Sequence, residues 1–96
     1  MIVIEKGKIK DFYLRHAKYK SSCISFIDLL ENAKWTMPND IAKTFPKCSI
    51  LKNNRACIDL GQSVRVIIRS NYLAGNAQIR FIGLHKDYDW INANTI

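Results

Sequence analysis

The chain is short of acidic residues, of paired cysteines and of long apolar runs, and each shortage excludes something. Eight Asp and Glu stand against fifteen Lys and Arg, a net charge of +7. That imbalance favours polyanions or an acidic partner, through steering and counterion release, without separating the two. The three cysteines, Cys23, Cys48 and Cys57, lie far apart among apolar neighbours. An odd number with no Cys-x-x-Cys argues against a disulfide framework and against zinc. Free thiols serving as small apolar residues suit a reducing cytoplasm. His16 and His85 do not have the spacing of a metal pair, so neither a metal nor a cofactor is expected. No apolar run approaches the ~20 residues that span a bilayer. Met1-Ile2-Val3-Ile4 is followed at once by Glu5, Lys6 and Lys8. It is too short for a signal peptide and reads as a first strand. Repeats, low-complexity tracts and linkers are absent, so residues 1–96 read as one domain. A chain of this size buries only roughly 60–65% of its unfolded surface, a modest core that a partner would help.

What is present begins with helical periodicity. Ile9, Phe12, Tyr13 and His16 fall on one helical face, and Lys8, Lys10, Asp11, Arg15 and Lys18 occupy much of the rest. A second set follows: Cys23, Ile27 and Leu30, widened by Ile24 and Phe26. Two helices are therefore expected over residues 7–33, with Ser21 or Ser22 capping the second. Pro38 opens a short helix to Thr44 and Pro46 closes it. Trp35, Ile41 and Phe45 would cover one end of the core.

The period then changes to two. Ser49-Ile50-Leu51 is a short strand, and Asn53-Asn54 is a turn. Residues 55–60, 64–70 and 78–84 read as the main strands. Loops fall at 61–63 and 71–77. Parity fixes the register of the first long hairpin. With a three-residue loop at 61–63, Leu60 opposes Val64, Ile58 opposes Val66 and Ala56 opposes Ile68, all apolar. The other face then pairs Asp59 with Arg65, Cys57 with Ile67 and Arg55 with Arg69. A two-residue loop would set Ile58 against Arg65 and mix the faces. The three-residue loop ends in a positive φ, an unusual place for Ser63. In the next hairpin Ile79 and Phe81 should join the apolar face and Arg80 the basic one. The expected fold is α+β: N-terminal helices packed on one face of a twisted antiparallel sheet, with a basic surface on the other.

Arg55, Arg65, Arg69 and Arg80 could grip consecutive phosphates, because a guanidinium fork matches phosphate oxygens. The plainer reading is a solvated face on which Asp59 neutralises Arg65. Past the strand end comes His85-Lys86-Asp87-Tyr88-Asp89. RNA can be cut without metal when the 2′-hydroxyl attacks the adjacent phosphate. The reaction needs a base, an acid and cations. Histidine can take either proton role. Tyr88 could stack on a base or donate its phenol, and Asp89 could orient His85 or an arginine. Against this, His85 could simply end a strand, and Tyr88 and especially Trp90 could pack under the C-terminal tail. Lys52, Lys86 and the amides of Asn53 and Asn54 could also reach RNA. The lysines between Lys6 and Lys20 read mainly as a solvated helix face.

In this order and spacing the chain resembles the HigB-type toxins of bacterial type II toxin–antitoxin systems, within the RelE-like superfamily. The residues that carry the resemblance are Ile2-Val3-Ile4, Trp35, Pro38, Asp40-Ile41 and Ser49-Ile50-Leu51 with Asn53-Asn54-Arg55. They continue through 64–69, Asn71-Tyr72, 79–83, His85, Tyr88-Asp89 and 93–96. The resemblance implies two N-terminal helices on an antiparallel sheet. It implies a metal-free, ribosome-dependent mRNA endonuclease that stops translation. It also implies a cognate HigA-type antitoxin, often a helix-turn-helix protein, through which operator DNA is met only indirectly. By the same resemblance His85 is base or acid, Arg65, Arg69 and Arg80 hold phosphate, and Tyr88 stacks or donates a proton. The chain ends soon after this motif, without a longer tail for further catalytic groups. Two other readings stand beside it: an inhibitor of DNA gyrase of the ParE-like kind, and a basic RNA- or ribosome-binding module without chemistry.

Overall fold

The computed structural model describes residues 1–61 and 63–96. The chain opens with strand β1 (Ile2–Ile4) and helix α1 (Gly7–Arg15). One 3-10 turn, Ala17–Tyr19, leads into α2 (Lys20–Asn32). Short α3 (Asn39–Thr44) follows, then β2 (Cys48–Ile50), β3 (Arg55–Asp59), β4 (Val64–Asn71), β5 (Asn76–Leu84) and α4 (His85–Tyr88). The two expected N-terminal helices and the α+β class are both present. Ser21 and Ser22 lie inside α2, whose N-cap is Tyr19 without a side-chain cap. The 3-10 turn runs straight into the helix and leaves no extended residue there to act as a serine cap.

The strands form one sheet in the order β1-β5-β4-β3-β2. The three pairs from β2 to β5 are antiparallel, whereas β1 runs parallel to β5, so the sheet is mixed. Three apolar residues can announce a strand but carry no sign of its direction. The β3–β4 register is the one that parity demands: Ala56 faces Ile68, Ile58 faces Val66, Asp59 faces Arg65 and Arg55 faces Arg69. In the 61–63 loop the positive φ falls at Gly61 (136°), where no Cβ opposes it; Gln62 lies outside the described residues. Asn53 and Asn54 both have positive φ, 58° and 61°, and the Arg55 amide donates to the Lys52 carbonyl (3.2 Å). That is the mirror-image turn whose twist suits a two-residue hairpin.

One register expectation fails. Ile68 pairs with Ile79 but Ile67 pairs with Phe81, which leaves Arg80 as the extra residue of a β-bulge. The bulge reverses the parity beyond it. Phe81 therefore lies opposite Ile67 on the basic face, and Ile82 and Leu84 turn to the core. Arg80 remains on the basic face as expected.

The core lies between the helices and the other face. Ile9, Phe12, Cys23, Phe26 and Leu30 meet Ala56, Ile58, Val66, Ile68 and Ile79, all essentially without solvent contact. Trp35, Ile41 and Phe45 close one end, with the Trp35 indole donating to Thr44 (2.9 Å). Ile24, counted among the core positions of α2, is instead half exposed.

The basic face is not open. Cys57 and Ile67 at its centre are buried. The C-terminal segment folds across it and is tied at both sides. Arg55 Nε and Arg80 Nε donate to the main-chain oxygen of Ile96 (2.8 and 3.1 Å). The Lys52 amide donates to Asn94 Oδ1, and Asn53 Nδ2 to the Asn94 carbonyl (2.8 and 2.7 Å).

Candidate active site

The arginines of the basic face divide into two groups. Arg65 stands near one end of β4, and Arg69 with its opposite number Arg55 near the other. Four residues of strand separate Arg65 and Arg69, about 13 Å.

Around Arg65 three elements converge. Strand β3 brings Asp59, β4 brings Arg65, and α4 brings His85 and Tyr88. The helix starts where it does because the His85 amide donates to the Ser63 carbonyl (2.7 Å) and Asp87 accepts from the Leu84 amide (3.3 Å). The register of β4 with β5 sets Gly83 opposite Arg65. A Cβ at Gly83 would lie 2.6 Å from Phe81 Cζ and 3.3 Å from Asp87 Cβ. The missing side chain is the space that the Phe81 ring fills.

Arg65 is held from three sides. Its Nη2 lies 2.7 Å from His85 Nε2. Its guanidinium carbon stands over the Tyr88 ring, 4.8 Å from the centroid, at cation–π distance. Its Nε is 3.3 Å from Asp59 Oδ1, yet this buried N–H has no hydrogen-bond acceptor. The contact with Asp59 is therefore an attraction of charges with the N–H aimed elsewhere. Arginine only donates, so the short contact with His85 fixes a tautomer. Nε2 carries the lone pair and Nδ1 the proton. A proton on Nε2 and the bond from Arg65 exclude one another.

Tyr88 is half-buried, and burial pushes its phenol above the ordinary tyrosine range, against the opposing pull of Arg65. It is a hydrogen-bond donor at neutral pH. The Cys57 thiol lies against the Tyr88 hydroxyl and is itself pushed up by burial, so it stays protonated. Beside these groups is a cleft of ≈ 320 Å³ lined by Lys47, Ser49, Cys57, Asp59, Arg65 and Tyr88. His85 stands exposed at its side.

Of the residues singled out from the sequence, the fold thus gathers Arg65, His85 and Tyr88. Lys86 is exposed next to His85, and Lys52 is exposed at the far hairpin. Arg55 and Arg80 bind the C-terminal main chain, and the Arg69 guanidinium has no partner among the described residues. Asp89 is exposed and, among the described residues, its carboxylate makes no hydrogen bond or ion pair; the partner of His85 is Arg65 instead. Trp90, expected to pack, is 89% exposed, and Tyr88 takes the inner place. Sequence reasoning passed over Cys57 as a small apolar residue. Its alternation with Arg55 and Asp59 on β3 was the signal that it faces the site.

Fold and site together define a small α+β protein that brings a guanidinium, the histidine ring in contact with it and a protonated phenol together beside one cleft. The sequence model of the HigB toxin family, the RelE-like toxic component of a toxin–antitoxin system, matches residues 19–91. The chain belongs to that family, and its mixed sheet with packed helices is a RelE-like fold. It is a toxin of a toxin–antitoxin system, and membership implies an antitoxin partner. No curated protein matches the chain significantly. Among the described residues no helix is long and apolar enough to cross a membrane.

Proposed function

We propose that this toxin is an endoribonuclease that cuts mRNA on the ribosome and so stops translation, with no metal in the reaction. The observation that carries the reading is the 2.7 Å contact of Arg65 with the lone-pair nitrogen of His85, beside the Tyr88 ring. A scissile phosphate is a better acceptor for a guanidinium than an imidazole is, because the bond is charge-assisted at both ends. Phosphate oxygens draw the Arg65 Nη2 donor and release Nε2. The 2′-oxygen then bonds to phosphorus, and its proton passes to His85 Nε2. The bond from phosphorus to the 5′-oxygen breaks, and the leaving oxygen takes the Tyr88 phenolic proton. Arg65 neutralises the charge gained by the phosphorane and steadies the tyrosinate left behind. The products are a 2′,3′-cyclic phosphate and a 5′-hydroxyl.

Ribosome dependence follows from what the site does not supply. His85 is exposed, and a group standing in solvent does not by itself bend RNA into line for the attack. The decoding site of a ribosome presents mRNA already bent. A HigA-type antitoxin with a DNA-binding domain is the partner we assign, and operator DNA is reached through it.

The test is a translation reaction with a defined mRNA, new ends being mapped by primer extension. New ends should form only with translating ribosomes and fall about 10²–10⁴-fold with His85→Ala. The metal claim is tested separately, on any residual cutting of naked RNA with chelator. Full-length mRNA throughout, with translation unaffected, would overturn the proposal.

A further inference from the structure

At the other end of the same face lies a second cavity, the polar one of ≈ 550 Å³ around Arg69. Its walls are of two kinds. Ile4 and Leu73 are apolar and exposed, Leu73 completely so. Arg69, Asn54, Asn76 and Gln78 are polar. Among the described residues the Arg69 guanidinium and the side-chain amides of Asn54 and Asn76 make no hydrogen bonds. The Gln78 amide nitrogen is held by Glu5 (2.8 Å), and its oxygen accepts no hydrogen bond among the described residues.

We infer that this cavity is a nucleotide subsite of the toxin that reads one base of single-stranded RNA at a distance from the cut. The inference rests on the ribonuclease reading above. Carboxamides offer a donor and an acceptor side by side, the pattern of a base edge. Arg69 supplies the phosphate contact. Ile4 and Leu73 offer an apolar wall to the flat of the base. The separation fits as well. About 13 Å of strand divides Arg65 from Arg69, about four nucleotides stacked at ~3.4 Å each and fewer if the RNA is extended. The subsite would therefore set which sequence is cut without touching the reacting atoms. The cavity also accounts for the difference among the arginines. Arg55 and Arg80 hold the tail, whereas Arg69 is left for a ligand.

The test uses His85→Ala protein, in which cutting should be about 10²–10⁴-fold slower, and single-stranded homopolymer oligoribonucleotides followed by fluorescence anisotropy. Asn76→Ala removes one amide. Asn54→Gly removes the other and keeps a residue suited to the positive φ of that turn (61°). The double variant should lower the ratio between the best and worst homopolymer on the order of ten-fold, with an unchanged salt slope. Arg69→Ala should weaken all homopolymers alike and reduce the slope by about one. Base ratios unaltered in the folded double variant would overturn the inference, as would loss of antitoxin binding with RNA binding intact. Base-dependent binding would sustain it even if the translation assay showed no cleavage, so the two readings can fail separately.

Discussion

At the scale of single residues, Arg65 does three things that a lysine could not. It stacks on Tyr88, donates to His85 and faces Asp59 at once, which needs a planar fork. Gly83 is the quieter determinant. Gly83→Ala should destabilise the fold by about 1–3 kcal/mol, because the new methyl meets the Phe81 ring. In a Phe81→Leu background most of that cost should vanish. Denaturant titrations of the four proteins make the cycle, and additivity would refute the contact. Tyr88 can be followed by its ultraviolet titration. Burial raises its folded value above the ~10 of free tyrosine. Its contribution to stability is then whole below about pH 10 and is lost as the pH rises through the folded value. Tyr88→Phe should delete a late-ionising phenol from the absorbance curve; deletion of an early one would contradict the burial. His85, Tyr88 and Arg65 were legible because their chemistry is unusual for a strand end. Cys57 was not: parity set it on the basic face, but a thiol paired with Ile67 reads as an apolar residue there.

At the scale of elements, the β3–β4 hairpin was readable to the residue because one face is wholly apolar and a slip would mix charge into it. The β4–β5 hairpin was readable only up to Arg80. A bulge inserts one residue without changing composition, so Phe81 looks apolar on either face. The course of the C-terminal segment was hidden for a related reason. Its anchors on Arg55 and Arg80 are main-chain oxygens, which have no sequence signature. The ties predict that Arg55→Ala speeds amide hydrogen exchange over residues 92–96, by ten-fold or so if one charge-assisted bond of about 1.5 kcal/mol is lost. Unchanged exchange there would mean that the tail is held by something else. The variant should disturb Tyr88 less, because α4 is anchored by the His85 amide on the Ser63 carbonyl and capped by its own Asp87.

At the scale of the whole molecule, the fold class was legible because a helical period gives way to a strand period within one short chain. The pairing of β1 was not, since strand direction depends on a connection through every other element. That pairing joins Val3 to Ala77. Contacts so distant in sequence form late, after the local hairpins. Val3→Ala should therefore quicken unfolding and leave the refolding rate nearly unchanged; a matching fall in the refolding rate would put β1 in the folding nucleus. The same connection has a consequence for the birth of the molecule. At roughly 5–20 residues per second, Val3 is made roughly 4–15 s before Ala77. His85 and Tyr88 come later still. Throughout that interval β1 waits without its partner strand, and the two groups that we propose for proton transfer do not yet exist.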